Sequence, residues 1–150
     1  MLKGIDPLLS PDLLRLLAEM GHDDALVLAD ANFIALRLGA GTPVLRLPGV
    51  GLVRALQAVT SLLPLAEDIP HPVAYMQVGG TEPPYRSALQ REAVALLAGL
   101  GLDSGQAEGV ERFAFYERAR KAYAIVVTGE LQPWGNFILR KGVICASLRP

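Results

Sequence analysis

Cysteine occurs once and histidine twice in this chain of 150 residues. A lone Cys145 cannot close an internal disulfide, and no partner residues stand at metal-ligand spacing around it, so a reducing, cytoplasmic setting is expected. Two histidines and one cysteine are also too few for a histidine-rich or thiolate metal cage within one subunit. Charge is scarce at 19% of residues, and the 14 basic and 15 acidic side chains leave a net charge of −1. Nucleic-acid binding normally needs a clustered basic face, and here Glu117 interrupts the densest group, Arg118, Arg120 and Lys121. The amino-terminal M-L-K-G-I-D-P has Asp6 and Pro7 breaking its apolar character, so it reads as neither a signal peptide nor a membrane span.

Apolar residues are plentiful, at 51%. One domain over residues 1–150 accommodates a sizeable core at this length, whereas two would each be marginal. The apolar surplus exceeds what a monomer of this size usually needs, and part of it is expected at contacts between copies.

Ser10-Pro11-Asp12 starts a helix: a hydroxyl for an orphan N–H, a proline suited to the first turn and an acid at the positive end. Leu13, Leu16, Leu17 and Met20 follow at helical spacing, and Gly21 is expected to end the helix in a left-handed conformation. Strands are expected at Ala25–Ala29, Pro43–Leu47, Pro72–Val78, Tyr123–Thr128 and Asn136–Arg140. Helices are expected at Leu52–Leu63, Arg86–Leu100 and Phe115–Lys121. This alternation predicts a single-domain α/β layered sheet with helices on both faces and largely parallel strands. Ligands of such sheets gather outside the strands' carboxyl ends, which draws attention to Asp30 and to the residues after Thr128.

Several polar groups sit at element ends. His22 leaves the first helix; histidine alone titrates near neutral pH unperturbed, so it can take and give a proton in one cycle. The residue by itself leaves two readings open, an acid/base or a cation at the negative helix end. Asp30 can accept several hydrogen bonds, from the hydroxyls of a ligand or from His22, or can cap its own turn. Asp23 and Asp24 read as solvated. Arg112 offers a planar, permanently charged fork for orientation. Trp134-Gly135-Asn136 supplies a flat apolar face, a backbone and an amide, a set suited to a polyol. The phenol of Tyr116 is either an assistant to His22 or a packed ring. His71, between prolines, reads as a surface residue. Gly49-Val50-Gly51 is a poor phosphate turn, since Arg54 holds the third glycine position and Pro48 breaks the strand-to-turn join.

The segments L-L-A-E-M-G-H (Leu16–His22), A-D-A-N-F (Ala29–Phe33), R-F-A-F-Y-E-R-A (Arg112–Ala119), A-I-V-V-T-G-E (Ala124–Glu130) and the W-G-N turn closely resemble the ribose pyranase and fucose mutarotase family. The likeness runs over nearly the whole chain and is poor only between about Pro70 and Gln106. It is nearest to the fucose branch, because Arg112 stands where ribose pyranases carry histidine. The resemblance implies a cofactor-free isomerase that interconverts the α and β anomers of L-fucose by ring opening. It implies His22 as the acid/base, and Asp30, Arg112, Trp134, Gly135 and Asn136 as substrate-binding residues. It further implies a ring-like homo-oligomer, commonly a decamer, with pockets near subunit contacts. Two positions depart from the family pattern: Asn32 replaces a histidine and Trp134 a tyrosine. A monosaccharide-binding protein without chemistry, and a ribose pyranase, are the alternatives.

Overall fold

The computed structural model describes residues 2–145. The first helix, α1 (Pro11–Glu19), begins where Ser10 accepts the Leu13 N–H at 3.2 Å. It is followed by β1 (Ala25–Ala29), α2 (Ala35–Leu38), β2 (Val44–Leu47), α3 (Leu52–Thr60), β3 (Val73–Met76) and α4 (Ala88–Ala98). After a 3-10 turn come β4 (Ala107–Val110), α5 (Arg112–Arg120), β5 (Ala124–Thr128) and β6 (Phe137–Arg140).

The six strands form one sheet in the order β2-β5-β1-β6-β3-β4. β2, β5 and β1 run parallel, as do β3 and β4, while β6 is antiparallel to both of its neighbours. The direction of β6 follows from its link. Residues 129–136 contain no helix, and a parallel return generally needs a crossover of about a dozen residues or more. The sheet is therefore mixed, with a reversed strand at its centre.

Side chains alternate between two cores. Leu26, Leu28, Ala124, Val126, Phe137 and Leu139 pack with α1, α3 and α4 on one face. Val27, Ala29, Ile125, Val127 and Ile138 pack with α2 and α5 on the other. Strands covered on both faces lose the polar alternation of a half-exposed sheet, which is why β1 and β5 read as continuous apolar runs. Each fully buried leucine, Leu13 and Leu28 among them, contributes about 1.5–3 kcal/mol of apolar transfer.

Some boundaries differ from expectation. Gly21 does not take a left-handed conformation; Met20 leaves α1 in an extended one, and the left-handed residue is Asp23, at φ 66°. Helix α5 starts at Arg112 rather than Phe115, because the Glu111 carboxylate accepts the N–H groups of Phe113 and Ala114 at 2.8 and 3.1 Å. β6 starts at Phe137, one residue after Asn136, whose side chain is engaged elsewhere. β4 and the short α2 were not expected: Ala107-Glu108-Gly109-Val110 has little strand character, and it is an edge strand whose outer side needs none. Among the described residues, no helix is long and apolar enough to cross a membrane.

Candidate functional site

His22 lies in the turn between α1 and β1, with 46% of its side chain exposed. It borders an open, mainly apolar cavity of about 600 Å³ formed with Leu14, Leu17, Leu62, Lys141 and Val143. On its other side, a space of about 500 Å³ is shared with Leu65, Glu67 and Asp68. The Nε2 atom of His22 stands 2.9 Å from a carboxylate oxygen of Asp68, and this hydrogen-bonding partner holds the Asp68 carboxyl below its usual range. The helix-end reading of His22 is not what is found, for Lys141 Nζ takes that place. It donates to the carbonyls of Leu17, at 3.0 Å, and Met20. Asp24 and Asp23 are also engaged rather than merely solvated: Asp24 accepts the Gly21 N–H at 2.7 Å, and Asp23 pairs with Arg140.

The remaining expected residues gather at the opposite end of the strands, beyond the carboxyl end of β1. Asp30 directly follows β1 and is buried; its backbone N–H donates to Asn136 Oδ1 at 3.0 Å, and its carboxylate accepts Asn136 Nδ2 at 2.8 Å. Its second oxygen accepts the Asn32 N–H at 3.0 Å, so Asn32 contributes its backbone here. Burial pushes the Asp30 carboxyl above its usual range; the Asn136 and Asn32 hydrogen bonds oppose this, and nearby Glu130 adds to it.

Arg112, exposed at the start of α5, lies with its guanidinium 4.6 Å from the centre of the Phe113 ring. It lines a cleft of about 320 Å³ with Trp134, Gln77, Gly79, Gly80, Thr81 and Glu111. Trp134 adopts φ 67°, unusual for a residue with a side chain. Its ring lies over Gly79, where a Cβ would come within 3.0 Å of it. The turn is secured from below by Gln90, which is fully buried and donates to the carbonyls of Met76 at 2.8 Å and Trp134 at 3.0 Å. Gly135 is buried, and a Cβ there would meet Leu89 at 3.0 Å and Glu130 at 3.1 Å. A side chain there would have to push these two neighbours aside. Tyr116 is half-buried, edge-on to Phe33 and Phe113, which is the packed-ring reading.

The structure thus joins Asp30 to Asn136 and Arg112 to Trp134, but it does not bring His22 to any of them. The whole of β1 intervenes, roughly 15 Å at about 3.3 Å per residue. Asp30 cannot orient His22 of its own chain; Asp68 occupies that position instead. Among the described residues, no group of three or more His, Cys, Asp or Glu side chains is placed to hold a metal ion. The Gly49 turn is no phosphate cradle either, since Glu130 already supplies an acceptor to the Leu52 N–H at the start of α3, at 3.3 Å.

Residues 3–144 match the model of the RbsD / FucU transport protein family. The chain belongs to this family. It is 46% identical over 144 residues to an L-fucose mutarotase of Glaesserella parasuis, covering 95% of this chain and 96% of that protein. It is 44% identical over 146 residues to the fucose mutarotase of Homo sapiens, covering 95% and 94%. The solved fucose mutarotase of Streptococcus pneumoniae in complex with L-fucose superposes with a TM-score of 0.87 at 37% identity, covering 96% of this chain and 100% of that one.

Within this RbsD / FucU chain, two polar residues near the expected ones escaped sequence reasoning. Asp68 lies in the loop between α3 and β3, and a single acid in a loop gives no signal of its partner. Gln77 follows β3 and is 8% exposed; Nε2 donates to Thr81 Oγ1 at 2.7 Å, while Oε1 has no partner among the described residues. Gly109 makes room for that oxygen, since a Cβ there would lie 2.3 Å from it. The oxygen is thus turned toward Gly109, while the amide nitrogen holds Thr81 at the cleft.

Proposed function

We propose that this protein is an L-fucose mutarotase, a cofactor-free isomerase that interconverts the α and β anomers of the free sugar. The observation that carries this reading is the near full-length similarity to L-fucose mutarotases; we take His22, Asp30, Arg112 and the Trp134-Gly135-Asn136 turn as its site, as the resemblance of their motifs implies. In the reaction, the His22 imidazole takes the proton of the anomeric hydroxyl, C1=O forms as the bond from C1 to the ring oxygen breaks, and the ring oxygen receives a proton. Rotation about C1–C2 and the reverse sequence give the other anomer, with no net gain or loss of protons or electrons. Arg112, the Trp134 face and Asp30 hold the hydroxyls, and Asn136 acts by fixing Asp30.

The chain folds as one domain, in this reading, and works in the cytoplasm as a homo-oligomer. His22 and the hydroxyl-binding residues lie at opposite ends of the strands, so a complete site needs two copies, the His22 end of one facing the Arg112 end of the next. Exposed apolar side chains stand near both ends: Leu36, Phe113 and Leu131 at one, Leu2, Leu62 and Val143 at the other. A contact between unlike ends is heterologous, the kind that makes a ring when its rotation closes. Family resemblance supports a ring assembly and specifically a decamer. Light scattering should give a mass far above the 16.0 kDa of one chain.

Saturation-transfer NMR on equilibrated L-fucose reads anomer exchange directly and tests the activity. Exchange faster with the protein than without it supports the mutarotase reading. Binding of L-fucose with unchanged exchange would support a sugar-binding protein instead, and faster exchange of D-ribose than of L-fucose would make it a ribose pyranase.

A further inference from the structure

We propose that Asp68 is a positioning residue for His22, one that keeps the proton on Nε2 and leaves Nδ1 as the nitrogen that exchanges protons with the sugar. This role rests on the reading of His22 as the acid/base and extends it to a residue outside the motifs that carry the family resemblance. An ionised carboxylate only accepts hydrogen bonds. At 2.9 Å from Asp68, Nε2 must therefore present an N–H, since two lone pairs would repel at that distance. Neutral imidazole carries one N–H, so the free lone pair is on Nδ1.

The pairing is set by the backbone as well as by two exposed side chains. The His22 turn and the Asp68 loop are both fastened to the end of β6. The Asp23 N–H donates to the Lys141 carbonyl at 2.8 Å, and the Lys141 N–H donates to the Asp24 carbonyl at 2.9 Å. On the other side, Leu65 bridges Lys141, the Ala66 N–H donates to the Arg140 carbonyl at 3.0 Å, and the Gly142 N–H donates to the Pro64 carbonyl at 2.8 Å. Gly142 permits this approach, because a Cβ there would lie 2.3 Å from the Leu65 carbonyl oxygen. Asp68 follows three residues later, opposite the imidazole.

The other charged groups near His22 are accounted for. Glu67 shares its cavity, Lys141 is turned onto the end of α1, Asp24 onto the Gly21 N–H and Asp23 onto Arg140. Among the described residues, Asp68 is the one carboxylate within ion-pair distance of the ring. When Nδ1 takes the anomeric proton, Asp68 faces the resulting imidazolium and stabilises it. The proton on Nε2 stays in place, and the proton on Nδ1 passes to the ring oxygen.

The chain has only two histidines, so histidine labelled with 15N in the ring gives an NMR spectrum that shows which nitrogen carries the proton and is assignable with a His71→Asn variant. The test compares the wild type with Asp68→Asn, which keeps an acceptor without charge, and Asp68→Ala, which has neither. Loss of the carboxylate removes the acceptor that holds the Nε2 proton in place, so the neutral His22 ring should pass from the Nε2–H tautomer alone to a mixture of both tautomers in Asp68→Ala, and less so in Asp68→Asn. The kcat should fall on the order of ten-fold in Asp68→Ala, less in Asp68→Asn, with KM little changed. An Nδ1–H tautomer in the wild type, or an Asp68→Ala ring that keeps the Nε2–H tautomer with kcat unchanged, would overturn the assignment. Should His22→Ala itself leave exchange intact, the acid/base reading fails instead, a result distinct from an inert Asp68.

Discussion

Asp30 and Asn136 hold one another through two hydrogen bonds: the Asp30 N–H donates to Asn136 Oδ1 at 3.0 Å, and Asn136 Nδ2 donates to the Asp30 carboxylate at 2.8 Å. Both side chains are buried. The Asn136 amide, which the sequence offered as a direct partner for a polyol, is therefore committed to the protein. Its backbone carbonyl receives the Met76 N–H at 3.0 Å, so the pair also fastens β1 to β3 across β6.

Asn136→Ala leaves a buried N–H and a buried carboxylate short of partners, and each such loss typically costs about 1–3 kcal/mol. The variant should unfold at a lower temperature than the wild type at matched concentration, by an amount equivalent to about 2–4 kcal/mol. Thermal unfolding followed by circular dichroism measures this, and an unchanged midpoint would show that the pair carries no stability.

The pH dependence of Asp30 follows from its burial. A carboxyl raised above its unfolded value contributes stability that is fully present below the ordinary carboxylate range and is lost as pH rises through its folded value. The wild type should thus lose ground to Asp30→Asn as pH rises from strongly acidic conditions through the raised value. Unfolding midpoints of both proteins across that range check the sign, and a difference that moves in the wild type's favour would contradict it.

Much of this arrangement was legible in the sequence, and what was missed has identifiable causes. Ser10-Pro11 marked α1 because capping is local, and β1 and β5 were legible because strands covered on both faces must be apolar throughout. Edge strand β4 escaped because its ends alone are buried, and α5 was cut short because Glu111 is an uncommon cap. The separation of His22 from Asp30 was implicit: they flank one strand and must lie at its two ends. Asp68 and Gln77 gained meaning only from neighbours distant in sequence.

Gln90 shows how the fold reaches the site from beneath. Its amide bridges the carbonyls of Met76 and Trp134, while its own Oε1 accepts the Ser87 N–H at 3.0 Å in the cap of α4. Gln90→Leu fills a similar volume but strands these groups, so a loss of about 2–4 kcal/mol is expected. Trp134 fluorescence should shift with it, as the left-handed turn loosens. An unaltered spectrum and midpoint would mean that the turn stands without Gln90, held by the contacts at Gly79 and Gly135 alone.

Mixed oligomers test the central claim most directly, that His22 of one copy acts on a sugar held by Arg112 and its neighbours in the next. His22→Ala and Arg112→Ala chains, each alone, should exchange L-fucose anomers far more slowly than the wild type. Co-assembled in equal amounts, about one contact in four joins an intact His22 to an intact Arg112, so about a quarter of wild-type exchange should return. A mixture as inactive as its parents, or a His22→Ala protein as fast as the wild type, would contradict the account.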